Sequence, residues 1–243
     1  MRTIGIIPAR YHSKRFPGKP LAKIDGRSLI QHVYDKTAEC TDLNELFVAT
    51  DDIRIFDHVN RFGKVIMTNP NHPSGTDRCL EAYEKINKNN GFNDNDLLIN
   101  IQGDQPFIMP EQITSVIETL KSKSENIATL MTKITDPESV LSNDVVKVVY
   151  NKKFKALYFS RSPIPFCQLD QKINYPTPAM KHIGIYGFRI KTLKQICHLP
   201  QSNLELLEGL EQLRWLENGF EIQLKESAID SICIDRPEHI ICS

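Results

Sequence analysis

Short apolar runs alternate with stretches of helical periodicity along the first half of the chain. Thr3–Ala9 is a continuous apolar run, the pattern of a strand covered on both faces. Ser28 stands where it can cap a helix whose Leu29, Ile30, Val33, Tyr34 and Thr37 share one side. Glu45–Thr50 reads as a second strand, followed by a helix from Asp51 with Ile53, Phe56 and Val59 turned inward. Lys64–Thr68 reads as the third strand, with a helix beginning near Thr76, and Asp96–Gln102 as the fourth. Such alternation implies right-handed crossovers and a mostly parallel sheet.

After about Thr129 the pattern changes. Val145–Tyr150, Lys155–Phe159 and His182–Arg189 read as strands, and Pro163, Pro165, Pro176 and Pro178 fall between the last two. Prolines at that density suit edge positions and long loops. Leu204–Glu217 reads as one amphipathic helix, and Phe220–Leu224 and Ser231–Ile234 as late strands. With no internal repeat and no low-complexity tract, the expectation is a single α/β domain over residues 1–243 with an antiparallel excursion.

Composition narrows the partners. Lys and Arg number 30 and Asp and Glu 30, so no net field draws the chain to nucleic acid or an anionic membrane, and any phosphate must be met by locally placed cations. The apolar stretch Ile4–Ala9 is too short for a signal-peptide core or a membrane span, which makes the cytoplasm the expected compartment. Six cysteines are scattered without a C-x-x-C pair, the pattern of reduced structural thiols rather than a zinc site.

Ligands of open α/β sheets collect at the carboxyl ends of the strands. The first strand is followed by Arg10, Ser13, Lys14, Arg15, Pro17, Gly18 and Lys19, with no acid until Asp25. A run of this kind is either a solvated basic loop or a cradle for a triphosphate. The third strand is followed by His72-Pro73-Ser74-Gly75-Thr76-Asp77-Arg78, the fourth by Gln102-Gly103-Asp104-Gln105-Pro106, and the last by Asp235-Arg236-Pro237. Topology would bring all four clusters to one rim. Asp104 and Asp235, each ending an apolar run, are either turn and cap residues or a hard-oxygen pair suited to Mg²⁺. A lone His182 is more often structural than functional, and Glu211, Gln212 and Arg214 on an amphipathic helix read by default as a solvated face. Gly18-Lys19 is followed by Pro20 and no G-x-G-x-x-G follows the first strand, so neither a Walker loop nor a dinucleotide fingerprint is present.

The segments A-R-Y-x-S-x-R-x-P-G-K-P-L, Ala49-Thr50-Asp51-Asp52, Ser74-Gly75-Thr76-Asp77-Arg78, Gln102-Gly103-Asp104-x-Pro106, Tyr158-Phe159-Ser160-Arg161-Ser162-Pro163-Ile164-Pro165, His182-x-Gly184-x-Tyr186 and Leu210-Glu211-Gln212-Leu213-Arg214 together resemble the 3-deoxy-manno-octulosonate (KDO) cytidylyltransferases, and more loosely other CMP-sugar synthetases. The resemblance covers nearly the whole chain. It implies a Rossmann-like three-layer α/β/α nucleotidyltransferase fold with a mixed, mostly parallel sheet. The excursion at about 150–190 would supply a homodimer contact. The implied reaction joins CTP to KDO, giving CMP-KDO and diphosphate for lipopolysaccharide synthesis.

By the same resemblance, Asp104 and Asp235 would bind Mg²⁺, and Arg10, Lys14, Arg15 and Lys19 the triphosphate. Ser13, Ser74, Gly75, Gln102 and Gly103 would help hold the nucleotide, with cytosine read by backbone near Ala9 and Arg10. Arg78, Arg161, His182, Tyr186, Glu211 and Gln212 would line the sugar pocket. Two positions depart from the family pattern: Gln105 stands where an acid is usual after Gly-Asp, and the late motif reads Ile234-Asp235-Arg236-Pro237-Glu238-His239. A Gln variant resembles enzymes acting on the 8-amino analogue of KDO. A non-catalytic nucleotide sensor and a glycosyltransferase are the rival classes; the second usually carries Asp-x-Asp, where this chain reads Asp104-Gln105-Pro106.

Overall fold

The computed structural model describes residues 1–12, 16–122, 124–167, 179–231, 233–234 and 236–240. The chain begins with β1 (Thr3–Ala9), then a small hairpin of β2 (Lys23–Ile24) and β3 (Arg27–Ser28), and α1 (Leu29–Ala38). Next come β4 (Glu45–Thr50), α2 (Ile53–Val59), β5 (Val65–Met67), α3 (Gly75–Asn90), β6 (Leu97–Asn100), α4 (Pro110–Lys121) and β7 (Ile127–Lys133). A short α5 (Pro137–Leu141) leads to β8 (Lys147–Tyr150), β9 (Ala156–Ser160) and β10 (Met180–Arg189). The chain then runs through α6 (Ile190–Cys197), α7 (Asn203–Glu208), α8 (Gln212–Glu217) and β11 (Gln223–Glu226).

The main sheet is ordered β11-β7-β10-β6-β1-β4-β5, and only β10 runs against its neighbours. β8 and β9 form an antiparallel pair that joins through Met180 and Lys181 of β10, which is the excursion expected from the sequence. Strand alternation sorts the apolar residues into two layers. Leu98 falls in the core layer of Tyr83 (α3), Leu193 (α6) and Trp215 (α8). Its neighbours Leu97 and Ile99 fall in the opposite layer, with Ile30 (α1), Val59 (α2) and Val116 (α4). Helices therefore cover both faces, a three-layer α/β/α sandwich around a mixed, mostly parallel sheet.

Local chemistry sets the helix starts. Ser28, Asp52 and Ser74 each accept a backbone N–H in the first turn of α1, α2 and α3. Because α2 begins after Asp52, Ile53 lies in its first turn and is 59% exposed; Ile55 and Val59 are the buried residues, which corrects the expected inward Ile53. The single helix expected over Leu204–Glu217 is two, because Gly209 takes a left-handed φ of 63° and ends α7. The late strand expected at Phe220–Leu224 begins at Gln223, and Ser231, Cys233 and Ile234 are not in a strand. No helix is long and apolar enough to cross a membrane, among the described residues.

Candidate active site

A cleft of about 220 Å³ opens at the carboxyl ends of β1 and β6. Pro8, Ala9 and Arg10 line it from the end of β1, and Lys19 and Pro20 from the turn that follows; Ser74, Gly75 and Arg78 come from the start of α3, with His72 just before. Gln102, Gly103 and Asp104 close it beyond β6. Three of the four polar clusters singled out in the sequence thus meet in one cavity. Asp235 lies outside the described residues, as do Ser13, Lys14 and Arg15. The residue before Asp235 is tied to the cleft: the Ile234 N–H donates to the Asp104 carbonyl at 2.9 Å.

Close approach of strands shapes the floor. A Cβ at Gly103 would stand 2.8 Å from the Pro8 carbonyl oxygen, so only glycine lets the end of β6 lie against the end of β1. Across the mouth, Lys19 Nζ donates to Asp104 Oδ2 at 2.8 Å, with the two side chains 14% and 26% exposed. Carboxylate oxygen of this kind is a hard donor for a divalent cation that keeps waters and takes substrate phosphates. No group of three or more His, Cys, Asp or Glu is arranged to hold a metal by itself, among the described residues.

The residues expected to bind the sugar fall into three groups. His182 and Tyr186, on β10, stand with ring centroids 5.2 Å apart, and Phe159 meets His182 edge-on. His182 pairs with the Thr129 hydroxyl at 3.0 Å, and burial pushes its pKa down to about 3, so the ring is neutral at physiological pH. Burial likewise pushes the Tyr186 phenol far up.

Glu211 forms the second group. It accepts from Ser74 Oγ at 2.8 Å and Thr76 Oγ1 at 2.9 Å, which links it to the cleft wall. Burial, reinforced by the Asp77 carboxylate, pushes its pKa up to about 7 against the pull of these hydroxyls and of Arg214. Gln212 and Arg214 are buried, which overturns the solvated-face reading of this helix.

The third group consists of arginines already engaged by protein oxygens. Arg78 donates to Thr68 Oγ1 at 2.6 Å and forms an ion pair with Asp51 at 3.4 Å. Arg161 donates to the carbonyls of Glu208 and Asn143, each at 3.0 Å. Sequence reasoning missed Asp51 as the partner of Arg78, and Glu205 and Thr76 as members of the Glu211 network. The Ala49-Thr50-Asp51-Asp52 motif carried the only signal for Asp51, since Asp52 is spent on capping α2.

Comparison with known proteins identifies the family. The cytidylyltransferase family model matches residues 4–226. The 3-deoxy-manno-octulosonate cytidylyltransferase of Cytophaga hutchinsonii is 48% identical, over 98% of this chain and 94% of its own length. The 8-amino-3,8-dideoxy-manno-octulosonate cytidylyltransferase of Shewanella sp. (strain W3-18-1) is 46% identical, over 99% of this chain and 96% of its own. Among solved structures, CMP:2-keto-3-deoxy-manno-octonic acid synthetase complexed with CTP superposes with a TM-score of 0.89 at 38% identity, covering 100% of this chain and 96% of that one. The chain belongs to the 3-deoxy-manno-octulosonate cytidylyltransferase family of nucleotidyltransferases.

Proposed function

We propose that this chain transfers the cytidylyl group of CTP onto the anomeric hydroxyl of KDO, giving CMP-KDO and diphosphate for lipopolysaccharide synthesis. The observation that carries the reading is the cleft at the ends of β1 and β6, where Lys19 and Asp104 face each other beside Ser74 and Gly103. CTP would lie there with its triphosphate toward Arg10, Lys14, Arg15 and Lys19 and its base over Ala9 and Arg10. The acceptor would lie toward His182, Tyr186, Glu211 and Gln212. Arg78 and Arg161, each with five guanidinium N–H donors, would meet the sugar carboxylate with those that their protein partners leave over.

The chain's own work is positioning and charge neutralisation. Two anionic substrates repel, so the cations around the α-phosphate lower the barrier to in-line attack. Lysine is a compact charge on a flexible stem, and Lys19 can turn from Asp104 to the departing diphosphate without backbone movement. Neutral His182 adds a hydrogen-bonding edge without placing a second fixed charge beside the sugar. Asp104 and Asp235 would hold Mg²⁺, which supplies charge neutralisation between hydroxyl and phosphate.

A single catalytic unit over residues 1–243 working as a cytoplasmic homodimer completes the reading, with no nucleic-acid or membrane partner. Support for the dimer comes from large apolar side chains left in solvent around the excursion: Leu157 on β9 is 59% exposed and Leu207 on α7 is 83% exposed. Glu208 joins those two elements through Ser160 Oγ at 2.6 Å, and exposed apolar side chains of this size are what a subunit contact would cover. The 8-amino analogue is the second acceptor reading, favoured by Gln105, a buried neutral amide in place of the usual acid. Diphosphate release from CTP, measured against KDO, 8-amino-KDO and a sialic acid, tests both readings. The highest kcat/KM should fall on KDO; a higher value for the 8-amino sugar would move the assignment to that acceptor, and activity only with the sialic acid would refute both.

A further inference from the structure

The break between α7 and α8 has a clasp built across it. Arg214 is 2% exposed, and its guanidinium reaches both sides of the Gly209 elbow. Nε stands 3.2 Å from Glu205 Oε2 on α7, Nη2 stands 3.3 Å from Glu211 Oε1 at the start of α8, and Nη1 donates to the Leu199 carbonyl at 3.0 Å. Asp77 Oδ2 lies 4.0 Å from the same Nη2. Among the described residues, these ion pairs put one guanidinium against three carboxylates, while the guanidinium of Arg78 is paired with Asp51.

Glu211 is bonded to the cleft wall through Ser74 and keeps 22% of its side-chain surface exposed, while Arg214 keeps 3%. Its partner Ser74 has a single hydroxyl proton yet lies within 2.6 Å of Asp77 Oδ2 and 2.8 Å of Glu211 Oε1. Without a cation the two acids would crowd one hydroxyl as like charges. The flat guanidinium is hydrogen-bonded to Glu211 through Nη2 and in charge contact with Glu205 through Nε, a reach to both helices at once that the point charge of lysine does not reproduce.

We propose that Arg214 is a positioning residue for the acceptor pocket, tying Glu205 to Glu211 across the elbow so that the Glu211 carboxylate is held against Ser74 and Thr76 and presented to the sugar. The inference rests on the reading that Glu211 lines that pocket. Arg214 touches neither substrate and acts through Glu211.

The test is a double-mutant cycle on the full chain, with CTP saturating and KDO varied. Arg214→Lys should raise the KM for KDO by about tenfold, the scale of coupling between groups in one network, with the KM for CTP changed less than about twofold. In a Glu211→Gln background the same substitution should add less than about twofold. Multiplicative effects, or equal rises in both KM values, would mean that Arg214 supports the fold generally and would overturn the proposal. An unchanged KM for KDO in Glu211→Gln alone would remove the reading beneath it. Should Arg214→Lys not accumulate as folded protein, Glu205→Gln opens the far side of the clasp, and its effect must vanish in the Glu211→Gln background for the proposal to stand.

Discussion

Lys19 Nζ lies 2.8 Å from Asp104 Oδ2, joining the loop after the first strand to the turn after β6. Neither charge is deeply buried, so the pair contributes on the order of 1 kcal/mol or less to stability. In the proposed reaction its weight is functional: one partner would serve as a cation for the leaving group, the other as a hard donor on the opposite lip. Asp104→Asn keeps the size and removes the charge. It should lower kcat by at least roughly 10²-fold, the scale of removing one preorganised electrostatic contact, while leaving thermal unfolding within a few degrees of the parent. Near-parental turnover at limiting Mg²⁺ would remove Asp104 from the metal site.

Gly103 offers a steric test of the same cleft. Gly103→Ala drives a Cβ toward the Pro8 carbonyl and must push apart the ends of β1 and β6. The expected result is a loss of about 1–3 kcal/mol of stability by chemical denaturation, with a raised KM for CTP. An alanine variant with parental stability and CTP affinity would show that the strands need not approach so closely.

The first strand was legible because a parallel strand buried on both faces leaves an unbroken apolar run, and Thr3–Ala9 matches β1 at both ends. Three of the four rim clusters were legible for a related reason: the ends of parallel strands converge whatever their spacing in sequence, while Asp235 of the fourth lies outside the described residues. What stayed hidden was local or long-range. Gly209 is a single residue inside a helical period, and only its left-handed φ turns one helix into two. The role of Arg78 depends on Asp51 from another strand end, a contact that no periodicity encodes. Burial of Arg214 was invisible because two of its neutralising acids, Glu205 and Asp77, lie on other helices.

Glu211 ties stability to pH. Its folded pKa of about 7 exceeds the ordinary 4.5, so the folded state holds this proton more tightly than the unfolded chain. The stabilisation is full below about pH 4.5 and is lost as pH rises through 7. It amounts to no more than about 3 kcal/mol, since the side chain keeps 22% exposure. Unfolding free energies across pH 5–8 should fall less steeply in Glu211→Gln than in the parent; parallel curves would contradict the assigned pKa.

The proposed homodimer predicts that disrupting the apolar surface around the excursion separates the subunits without unfolding them. Leu207→Asp changes an 83% exposed side chain, so the fold should persist while sedimentation shifts from dimer toward monomer. A parental sedimentation profile would place the contact elsewhere.

The most direct measurement follows both products of the parent enzyme by phosphorus NMR, with CTP, Mg²⁺ and KDO together and with the sugar omitted. The expected result is one CMP-sugar formed per diphosphate released, and no diphosphate without the sugar. Diphosphate release that ignores the sugar, or CTP bound and left intact in the presence of KDO and its 8-amino analogue alike, would contradict the proposed transfer.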